Sequence, residues 1–301
     1  MLNKSLPILS LIIGVISVST SAIFVKLSSA DAGTIAFYRL LFSTILLLPY
    51  FLFKSKADLN HFNRKDWWLS LLSGLFLAVH FILWFESLNY TSVASSTVLV
   101  TLQPIFAFIG TYIFFKEVIS IKSIIAASIA MVGSFIISWG DFKVDGQALL
   151  GDMLALAACA LVTGYLLIGQ SLRKKLTLTS YTFIVYGFSS VILLIYVLLN
   201  GEMLVGFSND NWIYFLLLAI FPTLLGHSLF NWSIKYISTN VISVAILLEP
   251  VGATILAYLL LNESIYIYQI VGGMIIIVGI LLFSIPVRLV IKKKRSIENH
   301  S

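Results

Sequence analysis

Apolar residues fall in ten long blocks separated by short polar punctuation, at roughly 7–28, 34–53, 67–88, 93–115, 121–139, 149–170, 180–199, 212–234, 241–261 and 267–287. A helix that crosses a bilayer needs about 20 mostly apolar residues. Each block supplies them, so the pattern predicts ten transmembrane helices. The connections are short, which makes neighbouring helices antiparallel hairpins, and no stretch is left for a soluble domain. The first block follows Lys4 and contains small residues, as a cleaved signal peptide would. Its apolar run continues to about Ser28, long enough to span, so it is kept as a helix. The expected fold class is an all-α integral membrane protein. Composition agrees: 59% of the 301 residues are hydrophobic and 11% charged, with mean hydropathy +1.02, against about 25% charged in soluble domains.

Within this pattern one sentence is written twice. QPIFAFIGTYIFFKE at 103–117 returns as EPVGATILAYLLLNE at 249–263, an offset of 146 residues. The offset also aligns Ser87 with Ser233, Tyr90 with Tyr236, Ser92 with Ser238, Gly133 with Gly279 and Ser138 with Ser284. Matched Ile and Leu could reflect composition alone, but Pro, Gly, Tyr and Glu in fixed register indicate an internal duplication. The expected organisation is a first five-helix repeat over 1–141, a second over 142–287, and a basic tail over 288–301.

The cations set orientation. With the N-terminus in the cytoplasm, 16 of the 19 Lys and Arg residues fall in loops or tails on the inner side, as the positive-inside rule requires. Lys143 is then the one basic residue of an outer loop, whereas Asp31, Asp141, Asp145, Glu202 and Asp210 lie outside. The net charge of +6 is therefore read as membrane orientation and not as nucleic-acid binding. The expectation is a multi-pass protein of the cell (plasma or inner) membrane, both termini cytoplasmic. Because five is odd, the second repeat must enter the membrane upside down relative to the first. Such inverted pairs carry ligand sites at their interface and give two nearly equivalent gates.

Ten helices, two five-helix repeats, and in each a Pro-bearing helix running into a Glu and then a Gly-containing helix resemble the drug/metabolite transporter superfamily, specifically its EamA-type carriers. The carrying residues are Pro104, Glu117 and Gly133, then Pro250, Glu263 and Gly279, with FYR at 37–39 similar to the family's arginine in the second helix. The resemblance implies secondary transport of small metabolites, commonly amino-acid export, through a central cavity between the halves. Arg39 is matched by Val185 in the second copy, so any role for it is asymmetric.

Polar groups within the blocks are the candidate site, since a charge at a helix centre costs on the order of 2.5–3.5 kcal/mol unless it is paired, hydrated or neutralised. Glu249 lies near the middle of its block, and Pro250 cannot donate to the carbonyl of Ile246. A carboxyl beside a free carbonyl could bind a substrate ammonium or a coupling cation, or take up a proton; the alternative is a protonated group serving packing only. Its mate, Gln103, is neutral, so proton coupling would rest on one repeat. His80 with Trp84, and His227 with Asn231, are four apart and share a helix face. They could line one cavity from opposing repeats, or simply bond neighbouring helices. Tyr165 and Thr223 are weaker candidates. Arg39 could bind a carboxylate, pair with an acid such as Glu86, or snorkel, as Lys26 is expected to do. Glu117 and Glu263, with Pro104 and Pro250, are assigned to architecture, bracing the turns at the membrane rim.

Ala126, Ala130 and Ser134 recur on the fifth helix, and Gly272 and Gly279 on the tenth. Such faces allow close helix approach, within the chain or in a homodimer. The tail sequence KKKR at 292–295 is expected to contact anionic lipid heads. The single cysteine, Cys159, excludes an intrachain disulfide and a thiolate cage; no metal and no cofactor is expected, only a small-molecule substrate and lipid, with coupling to a proton gradient through Glu249 open. The competing class is an intramembrane enzyme using His80 and His227, whose sequence support stops at GHS (226–228) without a nucleophile turn. Carriers of drugs or nucleotide sugars share the same general plan.

Overall fold

The computed structural model describes residues 5–139 and 146–284, so the basic tail and the loop holding Lys143, Asp141 and Asp145 lie outside the described residues. The described chain is helical. In order the helices are α1 (Leu6–Leu27), α2 (Ala32–Asn60), α3 (Arg64–Tyr90), α4 (Val93–Phe115), α5 (Ile121–Ile137), α6 (Gly146–Leu172), α7 (Leu178–Asn200), α8 (Asn209–Ser233), α9 (Thr239–Leu261) and α10 (Ile267–Ser284). Among the described residues nine are long and apolar enough to cross a membrane; α5 is apolar but has only 17 residues. The largest departure from the hydropathy pattern is the end of α2, which runs on to Asn60 through a π-helical turn at Phe51–Ser55 just after Pro49.

Several helices are interrupted, and the causes are local. Within α4, helix Val93–Val100 stops and Gln103–Phe115 begins; within α9, Thr239–Ile246 stops and Glu249–Leu261 begins. Pro104 and Pro250 lack an N–H and their rings clash with the carbonyl four residues back, so each terminates one helix and starts the next, where a missing donor is harmless. Pro250 therefore opens a helix and does not puncture the wall of a continuous one. Each second half closes on a left-handed residue, Lys116 (φ 57°) and Asn262 (φ 56°), the two non-glycine residues with positive φ among those described. These are repeat mates, and the conformation lets Glu117 N–H reach the Thr111 carbonyl and Glu263 N–H the Ala257 carbonyl, the usual way to satisfy orphan carbonyls at a helix end. In α1 the break follows Val18. There Ser19 Oγ donates to Val15 O (2.8 Å) and Thr20 Oγ1 to Ser17 O (2.7 Å), side-chain bonds that compete with the helix ladder.

Three of the five pairs of helices related by the 146-residue offset pack against one another, antiparallel: α5 with α10, α2 with α7 and α4 with α9. Gly133 on α5 faces Gly272 and Ile276 on α10, while Gly279 faces Ala126 and Ala130. Gly272 is the mate of Ala126, so one contact is written twice, the signature of a two-fold relation. The small-residue faces of α5 and α10 thus meet each other. On α2 and α7, Phe51 stacks on Phe183 at 4.1 Å at one end, and Gly33 lies beside Tyr196 and Glu202 at the other. The first half of α4 touches the second half of α9, and the reverse; α3 packs on α6 as α8 packs on α1. Large apolar side chains such as Ile12, Ile113 and Leu281 stay exposed on the perimeter, where hydrocarbon and not water is the matching solvent.

Candidate central binding site

Where the broken helices meet, a small chamber is lined by Ser21, Arg39, His80, Trp84, Gln103, His227 and Glu249, walled by Val18, Val100, Val162, Leu166, Phe230 and Ile246. Six of the eight residues singled out from the sequence are brought together here. Its water-reachable space is about 20 Å³, room for about one water molecule. This conformation is closed to a metabolite.

Arg39 reaches the chamber from α2 and is 0% exposed. Its Nε donates to Thr223 Oγ1 (2.7 Å), Nη1 to Ser21 Oγ (2.8 Å), and the guanidinium carbon lies 4.1 Å from the Phe81 ring centroid. It neither snorkels nor pairs with Glu86, which bonds Asn89 and Tyr90 instead. The receptors exist because the neighbouring helices are irregular. Ser21 is the first residue after the α1 break. Thr223 sits in the π-helical turn Ala219–His227 around Pro222, its hydroxyl donating to Leu218 O five residues back (2.8 Å). One donor, Nη2, has no protein partner.

Gln103 and Glu249 are each the first residue of a half-helix, 5% and 7% exposed. Helix N-termini carry unsatisfied N–H groups and partial positive charge, so the breaks aim two of them at the chamber. The Glu249 carboxyl makes no hydrogen bond among the described residues; Ser19 Oγ reaches its backbone carbonyl at 3.3 Å. His80 donates Nδ1–H to Ala158 O (2.9 Å), since a carbonyl can only accept, and its ring stacks on Trp84 at 5.8 Å. His227 meets Phe81 edge-on at 5.6 Å. Buried polar atoms normally have partners. Yet Arg39 Nη2, Trp84 Nε1, Gln103 Oε1 and His227 Nδ1 have none, and all four belong to residues of this one chamber.

Tyr165 and Asn231 do not line the chamber. Asn231 Nδ2 donates to the Tyr165 hydroxyl and to His227 O (2.8 Å), so that amide is engaged one turn beyond His227. Around them Tyr181 bonds Ser73 (2.8 Å) and Tyr186 bonds Ser228 (3.2 Å), a hydroxyl-rich layer between the chamber and the terminal end of the bundle, the end where α1 begins and α10 stops.

At that terminal end Glu117 does more than brace its own turn. Its carboxylate accepts from Gln170 Nε2 (2.7 Å) on α6 and from Ser238 Oγ and Asn240 Nδ2 (3.1 Å) at the start of α9. Gln170 Oε1 in turn accepts from Thr239 N (2.8 Å) and Oγ1 (2.6 Å), and Thr111 donates to Asn240 (2.9 Å). These bonds tie α4, α6 and α9 together at this end. Sequence reasoning missed Gln170 and Asn240 because hydrophilic residues near block ends are ordinary; only their common target gives them meaning. Ser21, a small polar residue within an apolar block, left a weak signal.

The EamA-like transporter family model matches residues 5–139 and 149–285. An uncharacterized transporter of Archaeoglobus fulgidus is 22% identical over 273 residues, covering 91% of this chain and 94% of its own. The uncharacterized transporter YxxF of Bacillus subtilis is 23% identical over 282 residues, with 93% and 90% covered. A solved crystal structure superposes with TM-score 0.77 at 15% identity, covering 94% of this chain and 97% of its own, a likeness of fold.

Proposed function

The chain belongs to the EamA-like transporter family, and on that premise we propose that it is a secondary carrier that exports amino acids or closely related zwitterions by alternating access. The observation that carries this reading is a closed chamber holding one guanidinium with a free N–H, two half-helix N-termini and one carboxyl without a hydrogen bond. Arg39, assisted by the dipole ends, suits a substrate carboxylate; Glu249 suits an ammonium. Trp84, Phe230 and the aliphatic wall accept an apolar side chain. His80 and His227 act as walls and hydrogen-bond partners: each lies against an aromatic ring, and the Nδ1–H of His80 is taken by a backbone carbonyl.

The antiparallel packing of repeat mates supports an inverted duplication, with the first repeat over 1–141 and the second over 142–287. Such a pair can rock between two related states around a fixed central site. With both termini in the cytoplasm of a cell-membrane protein, the end latched by Glu117 is the inner gate. Glu249, the one chamber carboxyl, is the group through which a proton gradient would couple. Export is the direction common among the carriers the chain resembles.

The test is solute movement in inside-out and right-side-out vesicles against an amino-acid panel, with and without a pH gradient. Expected is amino-acid flux above empty vesicles that Glu249→Gln and Arg39→Gln each abolish. No flux for any amino acid, or flux untouched by both substitutions, overturns the reading.

A further inference from the structure

Away from the central chamber, a cavity of about 520 Å³ opens between the first half of α4 and the second half of α9, at the end of the bundle opposite the start of α1 and the end of α10. Lys26, Thr97, Glu263 and Gln269 are on its walls, and it reaches inward to Pro250, the neighbour of Glu249.

The duplication supplies an internal control for what this cavity is. At the terminal end the carboxylate of Glu117 is filled by three donors from Gln170, Ser238 and Asn240. The mates of those three are Phe24, Ser92 and Ala94, so two of the donors do not exist at the opposite end. The third, Ser92, accepts from the Ser95 N–H as a helix cap (3.0 Å). The Glu263 carboxylate accepts no hydrogen bond among the described residues, from Ser92 or from any other donor, and Glu263 stands on the cavity wall. In exchange a cation stands here at a position that is apolar in the other copy: Lys26 is matched by Leu172. Its Nζ donates once, to Leu88 O at 2.7 Å, leaving two of an ammonium's three donors. No ion pair within 4.0 Å joins Lys26 to Glu263 among the described residues, so the two charges bracket space and do not cancel. Thr97, 1% exposed, adds a hydroxyl with no protein partner.

We propose that this vestibule is a second binding site, separate from the central chamber, that takes small zwitterions of the amino-acid class: Lys26 receives the carboxylate, Glu263 the ammonium, and the Thr97 hydroxyl either pole. Its place in transport rests on the carrier reading above; its binding chemistry does not. A metabolite that the 20 Å³ chamber excludes fits in the 520 Å³ vestibule, so solute is held here, next to Glu249, while the chamber is shut.

The experiment reads occupancy without transport. Cys159, the single native cysteine, is fully buried, so Thr254→Cys on the vestibule wall gives one site for a membrane-impermeant maleimide. A mixture of neutral amino acids slows its labelling severalfold, whereas matched primary amines and matched carboxylates, each lacking the other charge, do not. Lys26→Gln and Glu263→Gln each raise the half-protecting concentration about tenfold or more, the worth of one charge-assisted bond, and Lys26→Arg and Glu263→Asp keep protection, which a folding defect would not. A cysteine out of reach of the reagent, labelling unaffected by amino acids, or protection surviving both charge removals overturns the proposal. Vesicle flux with no protection refutes the vestibule alone, and protection with no flux refutes the carrier reading alone.

Discussion

Gly279→Ala probes the crossing of α5 and α10, where the two halves of the chain touch through backbone. A β-carbon at Gly279 would lie 2.6 Å from Ala130 N and 2.8 Å from Ala126 O. Ordinary contacts begin near 3.4 Å, so the helices must part by most of an ångström. Overpacking of this kind costs about 1–3 kcal/mol, and the better helix propensity of alanine returns about 1, leaving a net loss of up to about 2 kcal/mol. Gly133→Ala makes the mirror clash, 2.7 Å from Gly272 O and Ile276 N, and should cost the same within about 0.5 kcal/mol. Together the two should cost less than their sum, because one separation relieves both. Gly187→Ala, whose nearest neighbour would be Thr44 Cγ2 at 3.8 Å, is the control and should be neutral or stabilising. Thermal unfolding of the purified protein in detergent measures all four. A Gly279→Ala protein as stable as Gly187→Ala, or a gap of more than about 2 kcal/mol between the two mirror variants, would refute the two-fold contact.

Arg39→Lys keeps the charge but loses the planar fork that reaches Thr223 and Ser21, so flux should fall at least about tenfold, with a stability loss of about 1–3 kcal/mol; unchanged flux in vesicles would remove Arg39 from the site. Glu117→Gln weakens the bonds that tie the helices at the terminal end, so a cysteine in place of the fully buried Thr111 should become reachable to maleimide from that side, and continued protection would show that the latch lies elsewhere. Glu202, in the α7–α8 loop and holding Thr34 N and Oγ1 at 2.7 and 3.0 Å, has its carboxyl raised above the ordinary value of 4.5 by burial. A raised acid binds more protons folded than unfolded, so stability should fall as pH rises from about 4.5 through the folded value. Glu202→Gln should flatten that slope in pH-dependent melting curves; a slope unchanged by the substitution would contradict the assignment.

The helices were legible because a lipid-exposed span must be apolar along its length, and Ile and Leu blocks announce that without any knowledge of packing. The residues that the 146-residue offset matches turned out to have backbone consequences: Pro104 and Pro250 restart helices, and Gly133 and Gly279 admit a neighbour's main chain. Arg39, Glu249 and the two histidines stood out because charge and imidazole are conspicuous in a membrane. Their environment did not. The π turn that presents Thr223, the α1 break that presents Ser21, and the split of α9 that puts Glu249 at a helix start are departures from regular geometry, which periodicity assumes. Asn231 shares a sequence face with His227, yet its amide is bonded to Tyr165, a contact between residues 66 apart. Lys26 reads as a snorkelling rim lysine until Glu263 is seen across the same cavity.

Inversion of the repeats is tested most directly by side-specific labelling of two mates next to the rim glutamates. Val118→Cys is 85% exposed as valine, beside Glu117, and Ser264→Cys lines the vestibule beside Glu263. In sealed right-side-out and inside-out vesicles, an inverted duplication predicts that an impermeant maleimide reaches the two positions from opposite faces of the membrane. Labelling of both from the same face would contradict it, and with it the alternating-access carrier built on two antiparallel halves.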